Sequence, residues 1–283
     1  MKLVNWKAEN GIRLGILTDR GIVDVKQAMP DAPADIEQVI SGGEECLSRL
    51  AELAKKDLPV IPAENAEYAP CVLHPEKILC VGLNYRKHGA ECSMEIPETP
   101  TLFSKFKSAL AAHNESIPLP ENAVKFDYEA ELVVVIGKKA VNVSKEEALS
   151  YVFGYTAGND LSARELQTRT SQWLLGKSCD HFAPLGPCVV TAEEIDPNNL
   201  AIRSEVNGVT RQSSNTREMI FSCADIISYV SKYMTLMPGD IIFTGTPDGV
   251  ILGYPEEKQV WLKSGDKITV SIEKIGFLTN VLK

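Results

Sequence analysis

The sequence contains no Cys-x-x-Cys pair. Its seven cysteines, Cys46, Cys71, Cys80, Cys92, Cys179, Cys188 and Cys223, are scattered and odd in number. That argues against a disulfide framework or a zinc ribbon and suits reduced thiols in a cytoplasm. No apolar run approaches the ~20 residues needed to cross a bilayer. The longest runs, 132–136 and 241–243, read as buried strands. The first ten residues, MKLVNWKAEN, lack the apolar core of a signal peptide. Basic residues are the minority, 29 against 38 acidic ones, for a net charge of −9. Neither nucleic acid nor a membrane is therefore an expected partner. Gly176-Lys177-Ser178 fails as a P-loop because position 171, where that motif needs Gly, is Ser. No internal repeat or low-complexity tract occurs. The remaining profile, 44% hydrophobic and 24% charged over 283 residues, is that of a globular chain with a large core.

Residues 1–70 read as a small accessory unit. Strands are expected at 2–6, 12–18 and 21–25, with turns at Asn10-Gly11 and Asp19-Arg20-Gly21. Helical stretches follow near 34–41 and 44–56, and a Pro- and Ala-rich segment marks a boundary between about 57 and 72. Residues 71–283 form the expected main domain. Strands are predicted at 77–81, 101–106, 128–136, 155–159 and 241–244. A capping box at Ser144 opens a short helix. Helices are predicted at 163–169 and 222–234, and Asn207-Gly208 reads as a tight hairpin. Many strands with few intervening helices predict a strand-rich α+β fold.

The strongest local signal is FDYEAEL, 126–132. On one continuous strand Asp127, Glu129 and Glu131 share a face. Leu132-Val133-Val134-Val135-Ile136 follows directly and makes the strand central. Buried carboxylates need protons or cations, so either a hard divalent ion sits here or the face is solvated. Asp160, closing the next apolar strand, is a candidate third ligand. His88 and Glu91 stand three apart, as a general base and its orienting carboxylate would, although a surface pair has the same spacing. His74, His113 and His181 lack such a partner and read as structural. Lys177 follows the apolar Trp173-Leu174-Leu175; it is either a site cation or a solvated amine.

Seven segments in order resemble the fumarylacetoacetate hydrolase superfamily: GLNYRKHGAE, FDYEAELVVVIG, GYTAGNDLSARELQ, GKSCDHFAPLGP, VNGVTRQ, LMPGDIIFTGTPDGV and SGDKITVSIEKIG. The match runs from about Pro75 to the end. It is nearest to the short bacterial members: acylpyruvate hydrolases, diketo-deoxy-sugar-acid hydrolases and homoprotocatechuate-pathway isomerases. The resemblance implies a β-sandwich roll, with a small N-terminal α/β accessory domain, paired as a homodimer. It implies Glu129, Glu131 and Asp160 as ligands for Mg²⁺ or Mn²⁺, with Ca²⁺ also accommodated. Asp127 is not a ligand in the family. It also implies His88 and Glu91 as the dyad on a mobile lid, Lys177 as the active-site lysine, and Arg164, Gln167 and Thr246 as substrate contacts. Longer relatives add a metal carboxylate upstream of the His; here that stretch reads Cys80-Val81-Gly82, and water takes the position.

The expected substrate is a small oxo acid. The expected reaction is hydrolysis of a carbon–carbon bond in a 2,4-dioxo acid, releasing pyruvate or a related 2-oxo acid. The alternative keeps the same enolate without water, as an oxaloacetate decarboxylase or an oxo-dienoate isomerase. The segment 86–100 is expected to be mobile without ligand, and a 2-oxo acid mimic is expected to bring His88 toward Glu91.

Overall fold

The computed structural model covers all 283 residues. The chain is strand-rich α+β, built on an eleven-stranded mixed sheet and a second sheet of five strands. At the centre of the large sheet lies Ala130–Ile136, antiparallel to both Val152–Asn159 and Ile241–Phe243. Every residue of this strand is buried, because it is covered on both faces. Leu132, Val134 and Ile136 face the second sheet, joining Ile202, Val270, Ile272 and Leu278 in one core. Val133 and Val135 face the other way, into a core shared with Ile36, Val39, Leu50 and Leu53. The unbroken apolar run is the sequence signature of such a doubly covered strand.

The N-terminal strands Lys2–Ala8, Gly11–Thr18 and Gly21–Asp24 form as expected. They continue the large sheet: Leu3 pairs with Val189 of Ala183–Thr191. The two helical stretches join as Ile36–Ala54, bent where Gly43 takes φ 61°. The Asn207-Gly208 hairpin forms, with Val206 opposite Val209. The capping box expected at Ser144 makes its contacts with Glu147, but a 3-10 turn, Ala148–Tyr151, follows in place of a helix.

Two helices are shorter than their patterns predict. The stretch 163–169 yields only Arg164–Gln167. The stretch 222–234 yields Cys223–Ser231, started by a capping box between Ser222 and Asp225. No helix is long and apolar enough to cross a membrane.

The predicted strand 128–136 is also corrected, because it breaks at 128–129. Side chains take the backbone there: Asp127 Oδ1 accepts from Tyr128 N at 2.9 Å, and Asn159 Oδ1 accepts from Glu129 N at 2.9 Å. Phe126–Asp127 pairs instead with Ser162–Ala163. At this same edge Ile78–Gly82, Val152–Asn159 and Ile241–Phe243 all end, because the first and third run parallel and both are oriented like the second. Their C-terminal ends and the start of Ala130–Ile136 deliver the functional side chains to one place.

Candidate active site

Glu129, Glu131 and Asp160 meet at that edge, each with a carboxylate oxygen within 4.8 Å of the others, and all three are buried. Glu131 keeps the phase of Val133 and Val135, so the apolar face of the strand becomes polar where it leaves the core. Asp160 follows the last residue of Val152–Asn159 and donates its own N–H to Glu129 O at 2.9 Å. Glu131 Oε2 accepts from Gly245 N at 2.7 Å. That amide is available because Gly245 takes φ 100°, in a turn where an added Cβ would lie 2.6 Å from Asn84 Cβ.

Asp127 lies outside the triad, as the resemblance implies and the alternating pattern does not. Its Oδ1 accepts from Ile251 N at 2.9 Å, and its Oδ2 accepts from Leu252 N at 3.0 Å and Arg164 Nε at 2.9 Å.

Three cations answer these carboxylates. Lys177 Nζ lies 2.7 Å from Glu129 Oε2 and 2.8 Å from Asp160 Oδ2. It stands 5.1 Å from the centre of the Phe103 ring, which packs edge-on against Trp173. Arg164 pairs with Asp127 and, at 2.7 Å, with Glu129 Oε1. Lys105 is fully buried and pairs with Asp160 Oδ1. The sequence reading missed Lys105. Its signal was a lysine in phase with Phe103 at the end of a short strand, Thr101–Lys105.

Burial works against a charged Glu129, but Lys177 and then Arg164 hold its carboxyl well below the usual range. Burial opposes the Lys177 ammonium too, yet Asp160 and Glu129 raise it above normal. Glu131 has no cation of its own. Burial, and then the charges of Asp160 and Glu129, push its carboxyl well above the ordinary range. Four carboxyl groups thus face three cations, and the one left without a cation, Glu131, is a member of the triad. An all-oxygen donor set with one carboxyl group left without a cation fits a hard divalent cation. The residues present therefore fit the metal that the resemblance implies.

The short helix Arg86–Glu91 covers the site. His88 Nδ1 and Glu91 Oε1 are 2.9 Å apart. Glu91 Oε2 accepts from Gly249 N at 2.8 Å, which fixes the carboxylate. His88 Nε2 is then the nitrogen left for the cavity. Burial disfavours the charged ring, but its bonds to Cys92 and Glu91, with Glu129 nearby, raise it to about 9. Of the other histidines, His181 does find a carboxylate, Glu115 at 2.7 Å, contrary to the expectation; it lies on a separate turn with no triad beside it.

Gln167 Oε1 accepts from Arg164 Nη1 at 3.0 Å, leaving the Gln167 amide N–H groups free to donate. Arg164 is occupied by Asp127, Glu129 and Gln167 and so positions its neighbours. Thr246 Oγ1 donates to Ala130 O at 3.0 Å and receives Gln212 Nε2 at 2.8 Å, so it can act toward the cavity only as an acceptor. The cavity itself is bounded by His88, the triad residues Glu129 and Glu131, Gln167, Lys177 and Thr246, with Met94, Phe103, Trp173 and Leu252 as apolar walls. Its volume is about 30 Å³. A larger hollow of about 530 Å³, near Phe106, Leu166 and Leu175, contains no cluster of catalytic groups.

Lys177 owes its position to the preceding glycine. A Cβ on Gly176 would lie 2.3 Å from Gln167 N and 2.5 Å from Ala163 O, both backbone atoms that cannot yield. Gly176→Ala is expected to cost roughly 1–3 kcal/mol of stability by overpacking. It should also lower turnover in the folded fraction, because Gln167 and Lys177 move together. Melting curves and kinetics on the folded enzyme check this; unchanged values for both would contradict it.

Residues 77–283 match the family model described as fumarylacetoacetate (FAA) hydrolase C-terminal. The chain is 45% identical to a fumarylacetoacetate hydrolase domain-containing protein 2 homolog of Dictyostelium discoideum, over 100% of this chain and 97% of that one. It is 41% identical to the rat (Rattus norvegicus) protein named oxaloacetate tautomerase Fahd2a, mitochondrial, over 99% and 91%. A solved maleylpyruvate hydrolase from Sphingobium sp. SYK-6, in complex with manganese(II) and pyruvate, superposes with a TM-score of 0.82 at 29% identity, covering 100% of this chain and 98% of that one.

Proposed function

The chain belongs to the fumarylacetoacetate hydrolase family, and on that premise we propose that it is a divalent-metal-dependent enzyme interconverting the enol and keto forms of oxaloacetate or a close 2-oxo dicarboxylate. The observation that carries this reading is the convergence of the carboxylate triad, the His88–Glu91 pair, Lys177 and Gln167 on one small cavity. The likeness to the rat oxaloacetate tautomerase supports the same choice.

Glu129, Glu131 and Asp160 would hold Mg²⁺ or Mn²⁺, which when bound supplies Lewis-acid polarisation of the 2-oxo group. The rest of the chemistry belongs to the chain. Once it has given up its own second proton, His88, held through Nδ1 by Glu91, takes a proton from C3 on Nε2. The electron pair moves into the C2–C3 bond, and charge develops on the 2-oxo oxygen. Lys177 Nζ and the free Gln167 N–H groups stabilise that oxygen. The proton is then returned at the oxygen, giving the enol, and the reverse sequence gives the ketone. Arg164 holds Gln167 and Glu129 in place, and Phe103, Trp173 and Met94 exclude water.

Hydrolysis of a 2,4-dioxo acid remains the second reading. The likeness to maleylpyruvate hydrolase favours it, as does the His88–Glu91 dyad, which could equally activate water. A homodimer is part of the proposal, checked by light scattering. The compartment is also left to proposal: the free thiols suit any reducing compartment, and the rat relative bears a mitochondrial name. A panel of enol-oxaloacetate, maleylpyruvate and straight-chain acylpyruvates, assayed with Mg²⁺ and with Mn²⁺, tests the choice. Tautomerisation of oxaloacetate should exceed cleavage of every dioxo acid. Faster pyruvate release from any of them would hand the assignment to hydrolysis.

A further inference from the structure

The lid bears a second cluster of side chains of the metal-ligating types, and the reaction proposed above does not use one of them. His88, Glu91 and Cys92 follow at i, i+3 and i+4, so they share one face of the helix and its C-cap. Their ligand atoms all lie within 4.8 Å of one another. Cys92 Sγ is 3.9 Å from His88 Nδ1, and Glu91 Oε1 is 2.9 Å from the same nitrogen. Tetrahedral zinc, with bonds of about 2.0–2.3 Å, places its ligand atoms roughly 3.3–3.8 Å apart. Two of the three separations, 2.9 and 3.9 Å, thus lie within about half an ångström of that geometry, and the third is under 4.8 Å. Glu91 is already anchored by Gly249 N through Oε2, which leaves Oε1 to coordinate.

The donor chemistry separates this set from the carboxylate triad. Nitrogen, thiolate and one oxygen favour a borderline ion such as Zn²⁺, whereas three carboxylates favour Mg²⁺ or Mn²⁺. From this geometry we infer that His88, Glu91 and Cys92 form an inhibitory Zn²⁺ site on the lid, distinct from the catalytic metal site. Binding releases the Cys92 thiol proton. It also requires the lone pair of His88 Nδ1, so the neutral ring carries its one proton on Nε2. That is the nitrogen that must accept the substrate's proton, and it can no longer do so. Zinc thus removes the base while the triad stays loaded.

The binding half of this inference stands on the geometry; the inhibition half rests on the role proposed for His88. The experiment separates them. Full-length protein is saturated with Mg²⁺ and titrated with Zn²⁺, following heat of binding and turnover in parallel for wild type, Cys92→Ser and a control, Cys46→Ser. Wild type and control should bind one Zn²⁺ that rising Mg²⁺ does not displace, and should lose at least about tenfold in turnover. Cys92→Ser, compared with its own zinc-free rate, should need at least about tenfold more Zn²⁺ for the same fractional inhibition, because the thiolate ligand is gone. Equal zinc sensitivity in Cys92→Ser, or inhibition relieved by Mg²⁺, would place the zinc in the triad and overturn the site. Zinc bound in a Cys92-dependent way with turnover intact would uphold the site and refute the role of His88.

Discussion

Replacing Glu131 with Gln is expected to lower turnover by at least about 10³-fold, since several kcal/mol of charge stabilisation depend on the metal that Glu131 would hold. The metal-free variant should nonetheless be at least as stable as the metal-free wild type near neutral pH. Glu131 is buried beside Asp160 and Glu129, and in the folded chain its carboxyl stays protonated well above its usual 4.5. The folded state therefore binds a proton that the unfolded chain releases. Stability of the metal-free wild type should fall as pH rises from about 4.5 through the raised value. Gln removes this slope and still accepts the Gly245 N–H. Glu129 shifts the opposite way, so its contribution is present above its unfolded value and is lost only in strong acid. Melting temperatures from pH 5 to pH 8, with and without Mn²⁺, check the prediction. Metal-dependent turnover surviving in Glu131→Gln would contradict it.

His88→Ala should lower oxaloacetate tautomerisation by about 10²- to 10⁴-fold, the range for loss of a positioned proton-transfer group. Any metal-promoted loss of CO₂ from oxaloacetate should persist, because it needs no base. Cleavage of a dioxo acid, if the wild type performs it, should fall with tautomerisation. Glu91→Gln should act more mildly and in a way a purely structural residue would not. Burial opposes the charged ring, but Cys92 and then Glu91 let His88 hold its proton up to about 9 in the metal-free site. Removing the Glu91 charge should move the rising limb of the kcat/KM profile to lower pH. An unmoved limb would mean that another group sets it. Wild-type turnover in His88→Ala would remove the dyad from the mechanism.

Periodicity reveals parts of this site and misses others for identifiable reasons. The run from Leu132 to Ile136 marks a strand covered on both faces, and the carboxylates just before it mark the polar end of that strand. Alternation also puts Asp127 with Glu129 and Glu131. It fails there because Asp127 and Asn159 side chains take the backbone N–H groups of residues 128 and 129, and the strand breaks. The three-residue spacing of His88 and Glu91 shows a local pair without its anchor, Gly249, 158 positions from Glu91. Lys105 pairs with Asp160 across 55 positions, a contact that only the sheet creates. Gly176 looks like part of a failed phosphate loop, and the fold shows it as the contact point of two short helices. The turn at Asn10-Gly11 is local and was legible; the pairing of Leu3 with Val189 is not local and was not.

The most direct test of the account follows enol-oxaloacetate in one vessel, recording loss of the enol absorbance alongside release of CO₂ and pyruvate. Wild-type protein loaded with Mg²⁺ should convert enol to keto form well above the solution rate, with little CO₂ or pyruvate released, and chelation should abolish the acceleration. Enol loss at the solution rate, or pyruvate appearing as fast as the enol disappears, would contradict it.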